Sequence, residues 1–326
     1  MRHRAGITIV EVLVVIAIMA MLVAMLLPAV QSVKERSRSV TCRSHLKQLG
    51  IACHDFEAAR RRYPSYLDWA GSGFSGHVQL LPHVGESQVF SALQSPENGS
   101  AAAEPPSVIL NSGLLTKPVP LLVCPSDVSR RVYSSYRACF GTTPGIHADW
   151  RPGQGSLLNP QTKALWGVLV GARGPSDVTD GLSHTALFSE RVAGDGNLAH
   201  YTPFHDIAVV GSGELVGVND TVVACNSVSA NPSSHFSSAG FSWMIGTYEH
   251  SAYNHILPPN ANVPDCVWGF TSSRLGSGAI SARSSHPGVV MVAFADGSVR
   301  PIGNTVDLTV WRALATIHGQ EVIGDY

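Results

Sequence analysis

Six cysteines, fourteen histidines and one carboxylate inside a long apolar run are the groups in this 326-residue chain that could carry chemistry. Cys42 and Cys53 stand eleven residues apart in a helical stretch, about 16 Å along its axis at about 1.5 Å per residue. A disulfide needs Cα atoms within about 7 Å, so these two cannot pair with each other. Cys124 with Cys139, and Cys225 with Cys266, would each close a loop. Six cysteines allow fifteen pairings, and buried free thiols are the other reading. Nine residues separate His286 from Asp296. Along an extended strand that is roughly 30 Å, at about 3.3 Å per residue, too far for a shared metal or catalytic site. Asp296-Gly297 reads instead as a hairpin turn, with His286 at the strand entrance before Pro287.

Other combinations are weaker. His200 with His205 and Asp206, and His250 with His255, lack the i,i+4 spacing of a helical ligand pair and read as surface or loop histidines. Asp177, Asp180 and Gly181 are the one candidate for calcium. They depart from EF-hand spacing and read as an Asx-capped turn. Gly181-Leu182-Ser183-His184-Thr185 fails the Gly-x-Ser-x-Gly elbow at its last position. Neither His-Glu-x-x-His nor Gly-x-x-x-x-Gly-Lys-Ser/Thr occurs. The expectation is no catalytic residue, no metal ligand and no cofactor, calcium aside, in a protein that is not an enzyme.

The elements that must hold these residues divide unevenly. Charged residues are 14% of the chain, against roughly 25% for a soluble domain. High apolar content and a net charge of -1 exclude disorder and nucleic acid as the main ligand. Residues 1–62 nevertheless carry a net charge of +6 and residues 63–326 a net of -7, so two parts in different surroundings are expected. Met1–Gly6 is short and basic through Arg2 and Arg4. Ile7–Leu27 is a 21-residue apolar stretch, about 31 Å as a helix and enough to cross a bilayer core. Glu11 inside it is costly and a functional flag by default. Arg2 and Arg4 place its start on the cytoplasmic side. Beyond Pro28, small and apolar residues from Val30 to Phe56 recur at helical spacing on an otherwise charged helix. Arg60-Arg61-Arg62 and Pro64 end it.

From Tyr63 onward, short apolar runs alternate with Gly, Pro, Ser and Asn. Strands are expected at 78–81, 119–124, 132–140, 165–172, 185–190, 207–210, 221–225, 241–247, 266–270 and 289–295. Short helices are expected at 87–94 and 306–317, and exposed loops at 95–118 and 141–163. The last of the strands is apolar throughout, so both of its faces should be buried.

Two resemblances add to this. Gly6-Ile7-Thr8-Ile9-Val10-Glu11-Val12-Leu13 resembles the amino-terminal motif of type IV pilins and type II secretion pseudopilins. The resemblance implies that a prepilin peptidase cuts between Gly6 and Ile7 and methylates the new terminus. Ile7 stands where that family usually has Phe. Glu11 matches its acidic fifth mature residue and Pro28 a common helix-kinking proline. Cleavage creates an ammonium on Ile7. In a packed filament it can pair with Glu11 of a neighbouring subunit, lowering both desolvation costs. The remainder resembles the DUF1559 family, large pseudopilin-like proteins with an H-x9-D-G tail, here His286, Asp296 and Gly297. Leu80-Leu81-Pro82-His83, Val123-Cys124-Pro125-Ser126-Asp127, Val178-Thr179-Asp180-Gly181 and Phe188-Ser189-Glu190-Arg191 resemble its internal landmarks.

Together these imply an α+β, type IV pilin-like fold. Its parts are a leader at 1–6, a transmembrane and stalk helix at 7–62, and a mostly antiparallel β-rich extracytoplasmic body at 63–326. The expected protein is a single-pass inner-membrane pseudopilin with its body in the periplasm or at the cell surface. Its expected partners are prepilin peptidase, other pilin or pseudopilin subunits and the membrane, with no nucleic acid. Assembly into a type II secretion-like pseudopilus or pilus-like filament, as a minor subunit, is the expected function. The alternative is a membrane-tethered glycan-binding protein or enzyme that uses the pilin-type leader for export.

Overall fold

The computed structural model describes residues 9–64, 74–93, 117–127, 129, 133–144, 173–211, 217–229, 232, 234–268 and 277–319. The processing residues Gly6 and Ile7, the strand expected at 165–172, and most of the loops expected at 95–118 and 141–163 lie outside them. Helix α1 runs without a break from Ile9 to Arg60, through Pro28. At about 1.5 Å per residue its 52 residues extend about 78 Å. Its two halves behave differently. The apolar half is long and apolar enough to cross a membrane, and none of that window is buried. The second half buries a stripe made of Cys42, Leu46, Leu49, Gly50, Ala52, Cys53 and Phe56. The stripe joins the same core as the sheets. Helix and body thus share one core across the 62/63 boundary. After the helix, Tyr63 N donates to Arg173 O at 2.7 Å, which ties the chain's exit to the body.

The body is α+β. Its nine strands among the described residues are β1 (Tyr136–Cys139), β2 (Ala186–Glu190), β3 (Ile207–Val209), β4 (His235–Phe236), β5 (Ala252–Tyr253), β6 (Cys266–Trp268), β7 (Ser277–Ala279), β8 (Val289–Phe294) and β9 (Val299–Gly303). They form a five-stranded sheet, β5-β1-β2-β8-β9, and a four-stranded sheet, β4-β3-β6-β7. Two pairings are parallel, β1 with β5 and β3 with β6. The other pairings are antiparallel, so the sheets are mixed. Helix α1 packs against β2, β8 and β9. Strand β8 is an interior strand between β2 and β9, and Val290 to Phe294 are all buried, as its unbroken apolar run requires. The Asp296-Gly297 turn closes the β8–β9 hairpin, with Gly297 at φ +78°. A Cβ there would also meet His54 Nε2 of α1 at 3.2 Å.

Several expected strands are helical. Val78–Leu81 lies in α2 (Gly76–Leu80) and the 3-10 turn Leu81–Val84, where Pro82 suits the first turn. Residues 119–124 contain the 3-10 turn Pro120–Leu122. Residues 221–225 belong to α4 (Val218–Asn226), because Val218, Thr221, Val222 and Cys225 recur at i, i+3, i+4 and i+7 and face the second sheet's core. Residues 241–247 form no strand beyond a bridge between Ile245 and Phe74. Short apolar runs carry too little periodicity to separate the two cases. The helices expected near 87–94 and 306–317 appear as α3 (Ser87–Leu93) and α5 (Leu308–Ala313). Asp307 caps α5 by accepting from Thr309 N and Val310 N, a standard N-cap arrangement.

Candidate functional site

The H-x9-D-G residues lie at opposite ends of β8, and helix α1 meets both ends. At the turn, Lys47 Nζ donates to Gly297 O at 2.6 Å, and Gly50 of the helix faces the Gly297 backbone. Asp296 serves the turn itself: its Oδ1 accepts from Ser298 N at 2.8 Å, and its Oδ2 lies 3.9 Å from Arg300 Nη2. At the other end, His286 is buried among groups from three other segments. Its Nδ1 is 2.7 Å from Glu35 Oε1 on α1. Its Nε2 is 3.2 Å from Glu190 Oε1 at the end of β2, and 3.7 Å from Cys124 Sγ.

The carboxylates are themselves held. Glu35 Oε1 also accepts from Ser126 Oγ at 2.9 Å, and Glu35 Oε2 lies 3.7 Å from Arg38 Nη1. Glu190 Oε2 accepts from Met291 N on β8 at 3.0 Å. Burial alone would lower the His286 pKa, but the Glu190 and Glu35 carboxylates beside it outweigh burial, and the net shift is upward. The imidazole, set between the Glu35 and Glu190 carboxylates, therefore ties the stalk helix to the sheet.

The cysteines correct the expected pairing. Cys124 is bonded not to Cys139 but to Cys42 of α1, and Cys139 and Cys53 are buried thiols outside any disulfide. The reason is tertiary: the segment after Pro120–Leu122 lies against α1, while Cys139 ends a strand buried inside the sheet. Cys225 is bonded to Cys266, fastening α4 to β6. Burial raises the Cys139 thiol to about 12 and raises Cys53 further.

A second buried network joins the two sheets. Asp265, just before β6, is within 2.9 Å of Arg191 Nη2 and 3.0 Å of Arg283 Nη2, and all three side chains are essentially fully buried. It also accepts from Ser281 N at 3.0 Å and from Ser281 Oγ at 2.6 Å. Arg191 donates on to His205 O at 2.7 Å, and Arg283 to Ala261 O at 2.8 Å. Adjacent residues of one landmark thus serve two networks, Glu190 under the stalk and Arg191 between the sheets.

The remaining candidates have local roles. Asp177 Oδ2 accepts from Gly174 N at 2.7 Å, and Asp180 Oδ2 from Gly319 N at 2.7 Å and Thr316 Oγ1 at 3.1 Å. His255 is not a surface histidine: it is buried, stacks on Trp311 at 3.5 Å, and is lowered by burial to about 3. His250 is partly buried in a turn beside Glu249, 3.8 Å away. Glu35 and the Cys42–Cys124 bond were absent from the expectations. One signal was present: Glu35 and Cys42 stand seven residues apart, two turns along one helix face.

Residues 31–309 match a family described as a protein of unknown function, DUF1559. Residues 1–27 match the prokaryotic N-terminal methylation motif. Comparison with curated proteins gives no match, nor does comparison with solved structures.

Proposed function

This chain belongs to the DUF1559 family, and from its amino-terminal methylation motif we propose that it is a pilin-like subunit anchored and assembled through α1. The motif implies prepilin-type processing and pilin-like export. In this reading a prepilin peptidase cuts after Gly6, the apolar half of α1 holds the protein in the cytoplasmic membrane as a single span, and the body stands outside. Glu11 then pairs with the new Ile7 ammonium of a neighbouring subunit, and the helices pack into a pseudopilus or short filament. The large body suits a minor subunit.

One observation carries this reading. The apolar half of α1 projects from the body with none of its membrane-length window buried, while the other half is fixed into the core. A helix held so firmly at one end can transmit a body's position to a membrane or filament lattice. The cystine, the His286 cluster and the Gly297 turn are the fastenings. Replacing Glu11 with Ala should leave cleavage intact and remove the subunit from assembled filaments, measured as its share in sheared filament and membrane fractions. Normal incorporation of that variant would contradict the assembly role.

A further inference from the structure

The cluster beneath the stalk has the donors of a metal centre. One ligand atom each from Cys42, Cys124, Glu190 and His286 lie within 4.8 Å of one another, and all four residues are buried. Ligands about 2.0–2.3 Å from a tetrahedral centre sit roughly 3.3–3.8 Å apart. His286 Nε2 already stands 3.2 Å from Glu190 Oε1 and 3.7 Å from Cys124 Sγ. The surroundings orient the donors inward. Glu35 occupies His286 Nδ1, leaving Nε2 toward the cluster, the outer carboxylate arrangement that fixes a ligating imidazole. Met291 N occupies Glu190 Oε2. Glu190 Oε1, fully enclosed, has no aligned hydrogen-bond donor.

We infer that the Cys42–Cys124 pair gates a zinc site: the cystine form excludes the metal, and the dithiol form binds one Zn(II) through Cys42, Cys124, Glu190 and His286. A thiol or phosphine reductant supplies two electrons to the disulfide and is itself oxidised as the S–S bond breaks. The freed sulfurs can then separate to the spacing a shared ion requires. Zn(II) displaces one proton from each thiol, and one from His286 Nε2 where the imidazole is protonated, while Glu190 binds as carboxylate. Two sulfurs, one nitrogen and one oxygen suit zinc among the available divalent ions. Four protein ligands with no open position make the site structural. The metal would therefore hold α1 to β2 and β8 when the covalent tie is absent.

The test uses the full chain in detergent, reduced with a phosphine, freed of reductant and titrated with Zn(II), or with Co(II) as a visible reporter. The expected result is one equivalent bound per reduced chain, with tetrahedral Co(II) bands and thiolate charge transfer, and none bound by the oxidised chain. Binding should persist in the Cys225→Ser/Cys266→Ser variant and vanish in Cys42→Ser. Glu35→Gln, at a partly exposed position outside the ligand set, should weaken affinity about 10–100-fold, with circular dichroism reporting the fold. Equal binding by the oxidised chain, no binding by a reduced and folded chain, or binding that follows Cys225 and Cys266 would each overturn the inference.

Discussion

Asp265→Asn should destabilise the body by about 3–5 kcal/mol, because it leaves Arg191 and Arg283 buried without their shared anion. The Arg191 and Asp265 side chains are 0% exposed and that of Arg283 is 2% exposed, so water cannot replace the lost carboxylate. The pH dependence has a definite sign. Burial pushes the Asp265 pKa up, but the charges of Arg283 and Arg191 and the bonds from Arg283 and Ser281 outweigh it, and the net shift is downward. An unfolded aspartate titrates near 3.9. The stabilisation is therefore complete above that value and is lost as pH falls through the lower folded value. Denaturant unfolding of both proteins between pH 3 and pH 7 checks this, with the pH limits taken as about one unit below and three above the unfolded value. The gap between them should be full near neutrality and shrink below about pH 4. A gap under about 1 kcal/mol at neutral pH would mean that the arginines find other partners.

The second large effect concerns the stalk cystine. In the chain-entropy view a link between residues 82 positions apart stabilises by about 4.5 kcal/mol, and removing a native disulfide typically costs about 2–5. Cys42→Ser/Cys124→Ser should thus lower the melting temperature of the metal-free protein by about 10 °C, at about 2–4 °C per kcal/mol for a body of this size. The loss should also appear locally. Hydrogen exchange in α1 from Cys42 to Phe56 should quicken more than in the β6–β7 hairpin, which the second cystine secures. Unchanged stability in the double variant would show that the covalent tie does not hold the helix.

These effects explain which parts of the molecule were legible in its residues. The β8–β9 hairpin was, because an Asp-Gly turn between apolar runs is local chemistry and Gly297 alone satisfies its backbone. The long helix was, because 21 apolar residues followed by a helical stripe leave few alternatives. The candidate site was legible only in pieces. His286 and Glu35 are 251 positions apart, and Cys42 and Cys124 are 82 apart. Nothing in the spacing of either pair says that α1 crosses the end of β8. The runs at 78–81 and 221–225 were misread for the opposite reason. Four or five residues fit either period, and the deciding contacts, Pro82 in its turn and Cys225 on Cys266, come from elsewhere. His255, assigned to the surface or a loop, is buried because an imidazole can fill a core position once its neighbours accept it, as Trp311 O accepts from His255 Nδ1 at 2.5 Å.

Pilin-type processing is the central claim. Its most direct test is the intact mass and amino-terminal sequence of the protein from membranes of cells with and without an active prepilin peptidase. A chain beginning at Ile7, and only when the peptidase is active, is the predicted result. A chain that still begins at Met1 in the presence of the active peptidase would contradict it and leave α1 a plain anchor.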